Sequence, residues 1–259
     1  MKIQRQPDTT YIASCSFGKD SLATILLALQ HGEPLDRCVF SEVMFSHEEG
    51  ISGEVPEHIE WIRNHAIPRL EQMGVKVDVV RAERDYLTLF FEKYGNKSGH
   101  KGQYVGFPMS NMCVVNSRCK VRPMRDYYKQ FGKIIAYVGI AADEPKRLAR
   151  LEGKQGYEKI SLMQKYGVTE AMAMQMCREA DLLSPIYNTG TRGGCWFCPN
   201  CRVGTMRQFR HDHPELWYRL VELGKTPNLA GYHFNYDKTI DEIEARFAGE
   251  DLQLRLFDD

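Results

Sequence analysis

Hydrophobic and polar positions fall into two periods along the first 140 residues. Thr10 to Cys15 is a short apolar run that predicts a buried strand. Leu22, Ile25, Leu26 and Leu29 then recur at helical spacing and predict a helix over Asp20 to Gln30, with Asp20 or Ser21 as its cap. Arg37 to Phe45, containing Cys38, Val39, Phe40, Val43 and Met44, predicts a second buried strand. Glu57 to Met73 reads as helix, Val75 to Val80 as strand, and Asp85 to Lys93 as a short helix. Gly95 to Pro108 has little periodicity and reads as a mobile loop. Met124 to Gln130 is a helix and Lys133 to Ile140 a strong strand. Strands alternating with helices imply an α/β fold with a doubly wound, mostly parallel sheet.

Past Ala141 the pattern changes. Lys146 to Leu151 is basic, Val168 to Ala180 is helical, and Leu183 to Tyr187 reads as extended. A glycine-rich turn, Gly190 to Gly194, leads into a cysteine cluster. Helices are expected at Gly204 to His211, Pro214 to Leu223 and Thr239 to Phe247. The expected organisation is an α/β domain over residues 1–150, a helical, cysteine-bearing segment over 151–247 packed on it, and an exposed tail over 248–259.

Charge and composition narrow the classes. The 259 residues carry 34 basic and 34 acidic side chains, so any nucleic-acid partner must be met by a local patch. No stretch approaches about 18 uninterrupted apolar residues, and Met1 to Pro7 holds no apolar signal segment. A cytoplasmic protein without a membrane span is therefore expected. Eight cysteines in that compartment point to metal or redox chemistry more than to disulfides.

Two stretches carry candidate chemistry. Ser16-Phe17-Gly18-Lys19-Asp20-Ser21 joins the first strand to the first helix. A glycine there lets the backbone approach a ligand, and amides at a helix start attract anions. Cys195-Trp196-Phe197-Cys198-Pro199-Asn200-Cys201 is C-x2-C-x2-C. Three thiols that close can face one centre, as at ferredoxin-type sites, with a fourth cysteine from elsewhere. The fourth ligand is Cys119 or Cys113; the basic flanks of Cys119 favour it. A 4Fe–4S cluster is expected, with zinc as the alternative. Cys15, Cys38 and Cys177 lie in apolar patterns and read as small buried hydrophobes. His47, Glu48 and Glu49 read either as a base or metal ligands, or as a solvated loop. Trp196, Phe197, Phe209, Trp217 and Tyr218 read as core around the cysteines.

The Ser16 to Ser21 loop lacks the Walker A ending and resembles the S-x-G-x-D-S pyrophosphate loop of the adenine nucleotide α-hydrolase (PP-loop ATP pyrophosphatase) superfamily. The segment Gly139-Ile140-Ala141-Ala142-Asp143-Glu144-Pro145-Lys146-Arg147 resembles a second signature, in which Gly139, Glu144 and Arg147 match. Ala141 and Pro145 depart from it, and Lys146, Arg147 or Arg150 would compensate. Arg118-Cys119-Lys120 to Pro123 resembles an internal cysteine site. Leu183-Ser184-Pro185-Ile186-Tyr187, followed by Gly194-Cys195-x-x-Cys198, resembles a closing segment. In this order, over residues 10–202, the four are similar to the phosphoadenosine phosphosulfate reductase-like family, closest to its sulfurtransferase branch of DNA phosphorothioation.

That resemblance implies ATP or a related adenine nucleotide, with Mg²⁺, bound by Ser16, Phe17, Gly18, Lys19, Asp20, Ser21, Gly139, Glu144 and Arg147. Lys19, Asp20 and Arg147 are the implied catalytic set, and Cys119, Cys195, Cys198 and Cys201 the implied cluster ligands. The implied activity is ATP α-hydrolysis that activates an acceptor, DNA or tRNA, for iron–sulfur-dependent sulfur transfer, with a cysteine desulfurase as sulfur donor. Reduction of phosphoadenosine phosphosulfate or adenylyl sulfate is the enzyme alternative. No cysteine follows Cys201 and there is no Cys-Cys pair, so the nucleophilic thiol of such reductases is missing. A second alternative is a clamp-tethered nucleotide sensor without turnover. Gln253-Leu254-Arg255-Leu256-Phe257 resembles the peptide that bacterial proteins insert into the sliding clamp, with Gln253 making polar contacts and Leu256 and Phe257 filling an apolar pocket. A terminal strand docking Leu254 and Leu256 on its own domain is the alternative.

Overall fold

The computed structural model describes residues 2–109, 112–151, 157–189 and 193–257, with backbone alone at 189 and 253–257. The chain forms two compact units that interleave along the sequence. One comprises Met1–Glu42, Glu54–Ala82 and Lys120–Gly194; the other comprises Val43–Gly53, Glu83–Cys119 and Cys195–Asp259. A boundary near residue 150 coincides with neither, because the strand and helices after residue 157 stay with the sheet.

The first unit is built on strands β1 (Thr9–Cys15), β2 (Arg37–Glu42), β3 (Val77–Arg81), β4 (Lys133–Val138) and β5 (Glu158–Ile160). Their order is β3-β2-β1-β4-β5 and every pairing is parallel. Ile12 pairs with Arg37 on one side of β1, and Thr9 with Lys133 on the other. Helices α1 (Lys19–His31) and α2 (Glu170–Glu179) follow β1 and β5. Parallel strands covered on both faces read as apolar runs without alternation, as β1 does. Tyr11, Ala13 and Cys15 pack with Leu22 and Ile25 of α1 on one face. Ile12 and Val39 pack with Tyr127, Tyr128 and Ala136 on the other. The strand order reverses between β1 and β4. Sheets of this kind bind ligands beyond the carboxyl ends of the strands at that switch.

Several elements differ from expectation. The second strand stops at Glu42, and Met44–Ser46 instead pairs antiparallel with Ile51–Ser52 in the other unit. The helix over 56–72 is interrupted by a π turn, Ile62–Ala66, just before Pro68, which has no N–H for the ladder. Pro185–Thr189 is a 3₁₀ turn, not an extended segment. The edge strand β5 escaped notice because Glu-Lys-Ile is too short and charged to form an apolar run.

The second unit packs helices Val203–Asp212, Pro214–Gly224 and Ile240–Phe257 with an aromatic core. Phe45 meets Trp196 at 4.6 Å between ring centroids, and Tyr86 meets Phe197 at 4.2 Å. Trp196, Phe197, Phe209 and Trp217 are buried as expected, whereas Tyr218 is exposed. The Gly95 to Pro108 stretch is folded. A Lys93–Tyr104 bridge and a Tyr94–Gln103 backbone bond close it, and Tyr104–Gly106 pairs with Leu229–Gly231. The last helix runs on to Phe257, so 248–257 is helical backbone. Its Glu, Leu, Gln and Arg residues are good helix formers, and Arg246 and Arg210 tie down Glu250 and Asp251. The side chains of Gln253, Leu254, Leu256 and Phe257 lie outside the described residues. Among those described, no helix is long and apolar enough to cross a membrane.

Candidate functional site

The chain leaves β1 after Cys15 and turns through Ser16, Phe17 and Gly18 into α1. Phe17 adopts a left-handed backbone, φ 55°, with its ring fully buried edge-on to Phe40 at 5.2 Å. Bulky residues rarely take that conformation, so the ring's packing sustains the turn. The Ser21 hydroxyl accepts from the Ser16 amide at 3.2 Å and donates to the Gly18 carbonyl at 2.9 Å. The Cys15 sulfur accepts the Phe17 amide, and the Cys177 thiol donates to the Lys19 carbonyl, each at 3.2 Å. These buried cysteines therefore brace the loop as well as fill space.

Gly18 is the N-cap of α1, and no side chain caps the helix. The expected caps are used otherwise: Ser21 locks the turn, and Asp20 pairs with the Lys19 ammonium at 2.7 Å. The Lys19 amide instead donates to the Tyr187 hydroxyl at 2.9 Å. An oxygen thus already sits where a helix start would receive an anion.

Gly139 lies at the end of β4, on the other side of the switch. A Cβ at Gly139 would stand 2.7 Å from the backbone carbon of Asp20 and the amide nitrogen of Ser21. Only glycine lets β4 pass this close to the start of α1. Glu144 then accepts the Ala141 amide at 3.2 Å and holds the Arg147 guanidinium at 2.6 Å. Ser16 to Ser21, Gly139, Glu144 and Arg147 therefore all belong to one unit, around one end of its sheet.

The electrostatics of the loop are self-satisfied. Burial disfavours the Lys19 charge, but hydrogen bonds to Asp20 and Glu170 outweigh it and raise its pKa. Asp20 moves upward as well, because burial outweighs its bond to Lys19. Burial opposes ionisation of Glu144, yet Arg147 and the Ala141 amide together lower its pKa.

Sequence reasoning missed His58. It is fully buried, its Nδ1 lies 2.8 Å from the Ser184 hydroxyl, and its Nε2 has no hydrogen-bond partner. Burial pushes its pKa down to about 4, against a smaller opposing effect of the Ser16 backbone. His58 is therefore neutral near pH 7. One turn earlier, buried Glu54 accepts the Gly194 amide at 3.0 Å, and burial raises its pKa. The only sequence signal for this shell was the Ser184 to Tyr187 segment.

Cys113, Cys119, Cys195, Cys198 and Cys201 all belong to the second unit. Backbone bonds from Cys198 to Cys195 and from Cys201 to Cys198, both 3.1 Å, wind the loop into successive tight turns. None of the cysteines forms a disulfide. Three soft thiols in such turns suit an iron–sulfur cluster or zinc in kind and spacing. They are not gathered: among the described residues, no three His, Cys, Asp or Glu side chains converge to hold a metal. Cys119 is fully buried, donates to the Arg84 carbonyl at 3.3 Å, and has its pKa pushed up to about 11 by burial. Cys113 is part-exposed. The buried Tyr86 hydroxyl has no hydrogen-bond partner, and Cys113 and Cys195 both act on it electrostatically. Glu49 is engaged by Arg219 at 2.6 Å, and the Asp85 carboxylate accepts the His47 amide at 2.7 Å. These contacts give that stretch a structural task.

A depression of about 650 Å³ lies at the opposite, amino ends of β1 and β2. Its cations are already paired, Arg5 with Asp36 and Arg37 with Asp78, and it holds no catalytic set.

No family model matches the chain. An uncharacterized protein of Methanocaldococcus jannaschii is 23% identical over 213 residues, covering 78% of this chain and 38% of that protein. The chain thus spans well under half the length of the curated relative it matches. Among solved structures, phosphoadenylyl-sulfate reductase from Candida auris, in its phosphate complex, is similar at 16% identity and TM-score 0.49, covering 74% of this chain and 82% of that one. The U34-tRNA thiolase NcsA from Methanococcus maripaludis, with its 4Fe–4S cluster, is similar at 14% identity and TM-score 0.43, covering 93% and 82%. The α/β assignment rests on the chain's own strand order, with its reversal between β1 and β4.

Proposed function

We propose that this protein binds ATP or a related adenine nucleotide at Ser16 to Ser21 and uses its α–β phosphate linkage to activate an acceptor for sulfur transfer. The observation that carries this reading is the contact of Gly139 with the start of α1, which joins the loop and the second signature at the switch point. An acceptor oxygen would attack the α-phosphorus, the bond to the β-phosphate oxygen would break, and pyrophosphate would leave. A sulfur nucleophile would then displace AMP, which departs with the electron pair of the acceptor–oxygen bond. Lys19, released from Asp20 and Glu170, would neutralise phosphate charge, and Arg147 would follow when freed from Glu144. Mg²⁺ bound with the nucleotide would supply further screening, with Asp20 placed to share it.

A 4Fe–4S cluster would be held by Cys195, Cys198, Cys201 and a fourth thiol, and would carry the sulfur chemistry. The fourth thiol would be Cys119 or Cys113; Cys119 is fully buried with its thiol on the Arg84 carbonyl whereas Cys113 is part-exposed, so we take Cys113 as the freer of the two. A cysteine desulfurase is the class of enzyme that would supply the sulfur, and nucleic acid is the class of acceptor. Anaerobic protein given ATP, a desulfurase with ³⁵S-cysteine, and DNA or tRNA should label the nucleic acid in an ATP-dependent way. Unlabelled nucleic acid, together with sulfite release from a phosphosulfate with thioredoxin, would replace this reading with the reductase.

A further inference from the structure

We infer that the second unit grips single-stranded nucleic acid along the Lys93 to Gln103 excursion and the adjoining Tyr232 to Tyr236 turn. This deepens the reading above by placing the acceptor; strand binding itself does not require turnover.

The chain is neutral overall, yet no Asp or Glu stands between Glu92 and Asp126. Within the second unit that stretch carries Lys93, Lys97, Lys101 and Arg118. The nearest acid in sequence, Glu92, is already taken by Arg84 and Arg118. Lys93, Lys97 and Lys101 are exposed; Lys93 lies over the Tyr104 ring at 5.0 Å, and among the described residues none of the three is in an ion pair. The excursion holds its shape. Tyr94 and Gln103 close it, His100 meets Gln103 at 2.7 Å, and Tyr94 packs on the His100 ring. Ordered cations on a glycine-rich backbone suit the repeated charge of a phosphodiester chain.

The segment paired with the excursion leads to stacking groups. Asn228 joins the excursion by bonds to Gly102 and Tyr104, and the strand Leu229–Gly231 pairs with Tyr104–Gly106. The chain then enters a turn that exposes Tyr232 by 56% and Tyr236 by 64%. Buried Asn235, between them, donates to the carbonyls of Pro199 and Cys201 and so fixes the turn against the cysteine loop. Asp237 is the acid that accompanies this turn, beside Lys238. Exposed tyrosines on the segment that pairs with the excursion, together with its exposed cations, fit unstacked bases on a charged backbone. An acidic peptide would use the cations and leave the rings idle. Turn and cysteines share one unit, so a base held on Tyr232 or Tyr236 stays near the thiols.

The test is fluorescence anisotropy of the full reduced chain with labelled 20-nucleotide DNA and RNA strands and a duplex control. Binding should favour single strands, and the DNA and RNA arms identify the source. Lys97→Glu with Lys101→Glu should weaken binding at least tenfold and lower the salt slope by about 1.4, or about 0.7 per lost phosphate contact. Tyr232→Ala or Tyr236→Ala should weaken it by about tenfold with the slope unchanged. Both positions are exposed, and unchanged thermal melting confirms folding. Wild-type affinity in the lysine double variant would overturn the proposal, as would equal affinity for base-free polyphosphate. Strand binding without sulfur transfer would leave this grip standing and count against the function above.

Discussion

Gly139→Ala tests the architecture of the site with one methyl group. The added carbon would stand 2.7 Å from the Asp20 carbonyl carbon and the Ser21 nitrogen, against ordinary contacts of 3.4–4 Å. Both neighbours are backbone at the start of a 13-residue helix, so neither can swing aside as a side-chain tip would. Overpacking of this kind costs about 1–3 kcal/mol, and rigid neighbours place this case toward the upper end. The displaced helix start would also misalign the amides offered to phosphate. Loss of one hydrogen bond to a charged group is worth about 1.5–3 kcal/mol, or roughly ten- to a hundredfold in ATP affinity. Urea unfolding and calorimetric ATP titration measure the two effects separately. Gly204→Ala is the control: its Cβ would meet nothing within 4 Å, and it should change stability by no more than about 1 kcal/mol. A Gly139→Ala protein with native stability and native ATP affinity would refute the reasoning.

Tyr187→Phe removes the hydroxyl that accepts the Lys19 amide; it should cost about 1 kcal/mol of stability and tighten ATP binding a few-fold, and weaker binding would show that the hydroxyl serves the phosphates. His58 has a folded pKa of about 4, below its ordinary 6.5, so its neutral form costs nothing above pH 6.5. As pH falls from 6.5 to 4 the unfolded chain takes up the proton first, and stability should drop by about 3 kcal/mol. His58→Gln should flatten that part of the urea-unfolding pH profile, and an unchanged slope would count against it. Iron and acid-labile sulfide in anaerobically purified protein should fall in Cys195→Ser and Cys113→Ser and survive in Cys119→Ser; the reverse for the last two would return the fourth place to Cys119.

Much of the first unit was legible because β1, β2 and β4 are largely buried apolar runs, whereas β3 and β5 are not. Leu22 and Ile25 gave α1 its phase, and the Ser16 to Ser21 residues announced a loop. What the pattern could not give was long-range pairing. Tyr187 reaches Lys19 across 168 positions and His58 reaches Ser184 across 126, and neither leaves a local period. The apolar run at Arg37 to Phe45 concealed a change of unit after Glu42, since burial looks alike on either side of the break. The Gly95 to Pro108 stretch read as mobile because its contacts are long-range: backbone bonds close the excursion and Phe107 is buried against Phe90 and Phe234, which leaves no local period. The cysteine spacing singled out candidate thiols, while the proposed preference for Cys113 over Cys119 rests on burial and a hydrogen bond to Arg84 that no spacing shows.

The most direct measurement is the product pattern from ATP labelled separately in the α- and γ-phosphates, with Mg²⁺, under reducing anaerobic conditions and with single-stranded DNA or tRNA present. The account predicts labelled AMP, or acceptor-bound AMP, from the α-label and pyrophosphate from the γ-label, with Gly18→Val and Asp20→Ala abolishing both. ADP with inorganic phosphate would contradict it, as would AMP and pyrophosphate formed equally well by both variants.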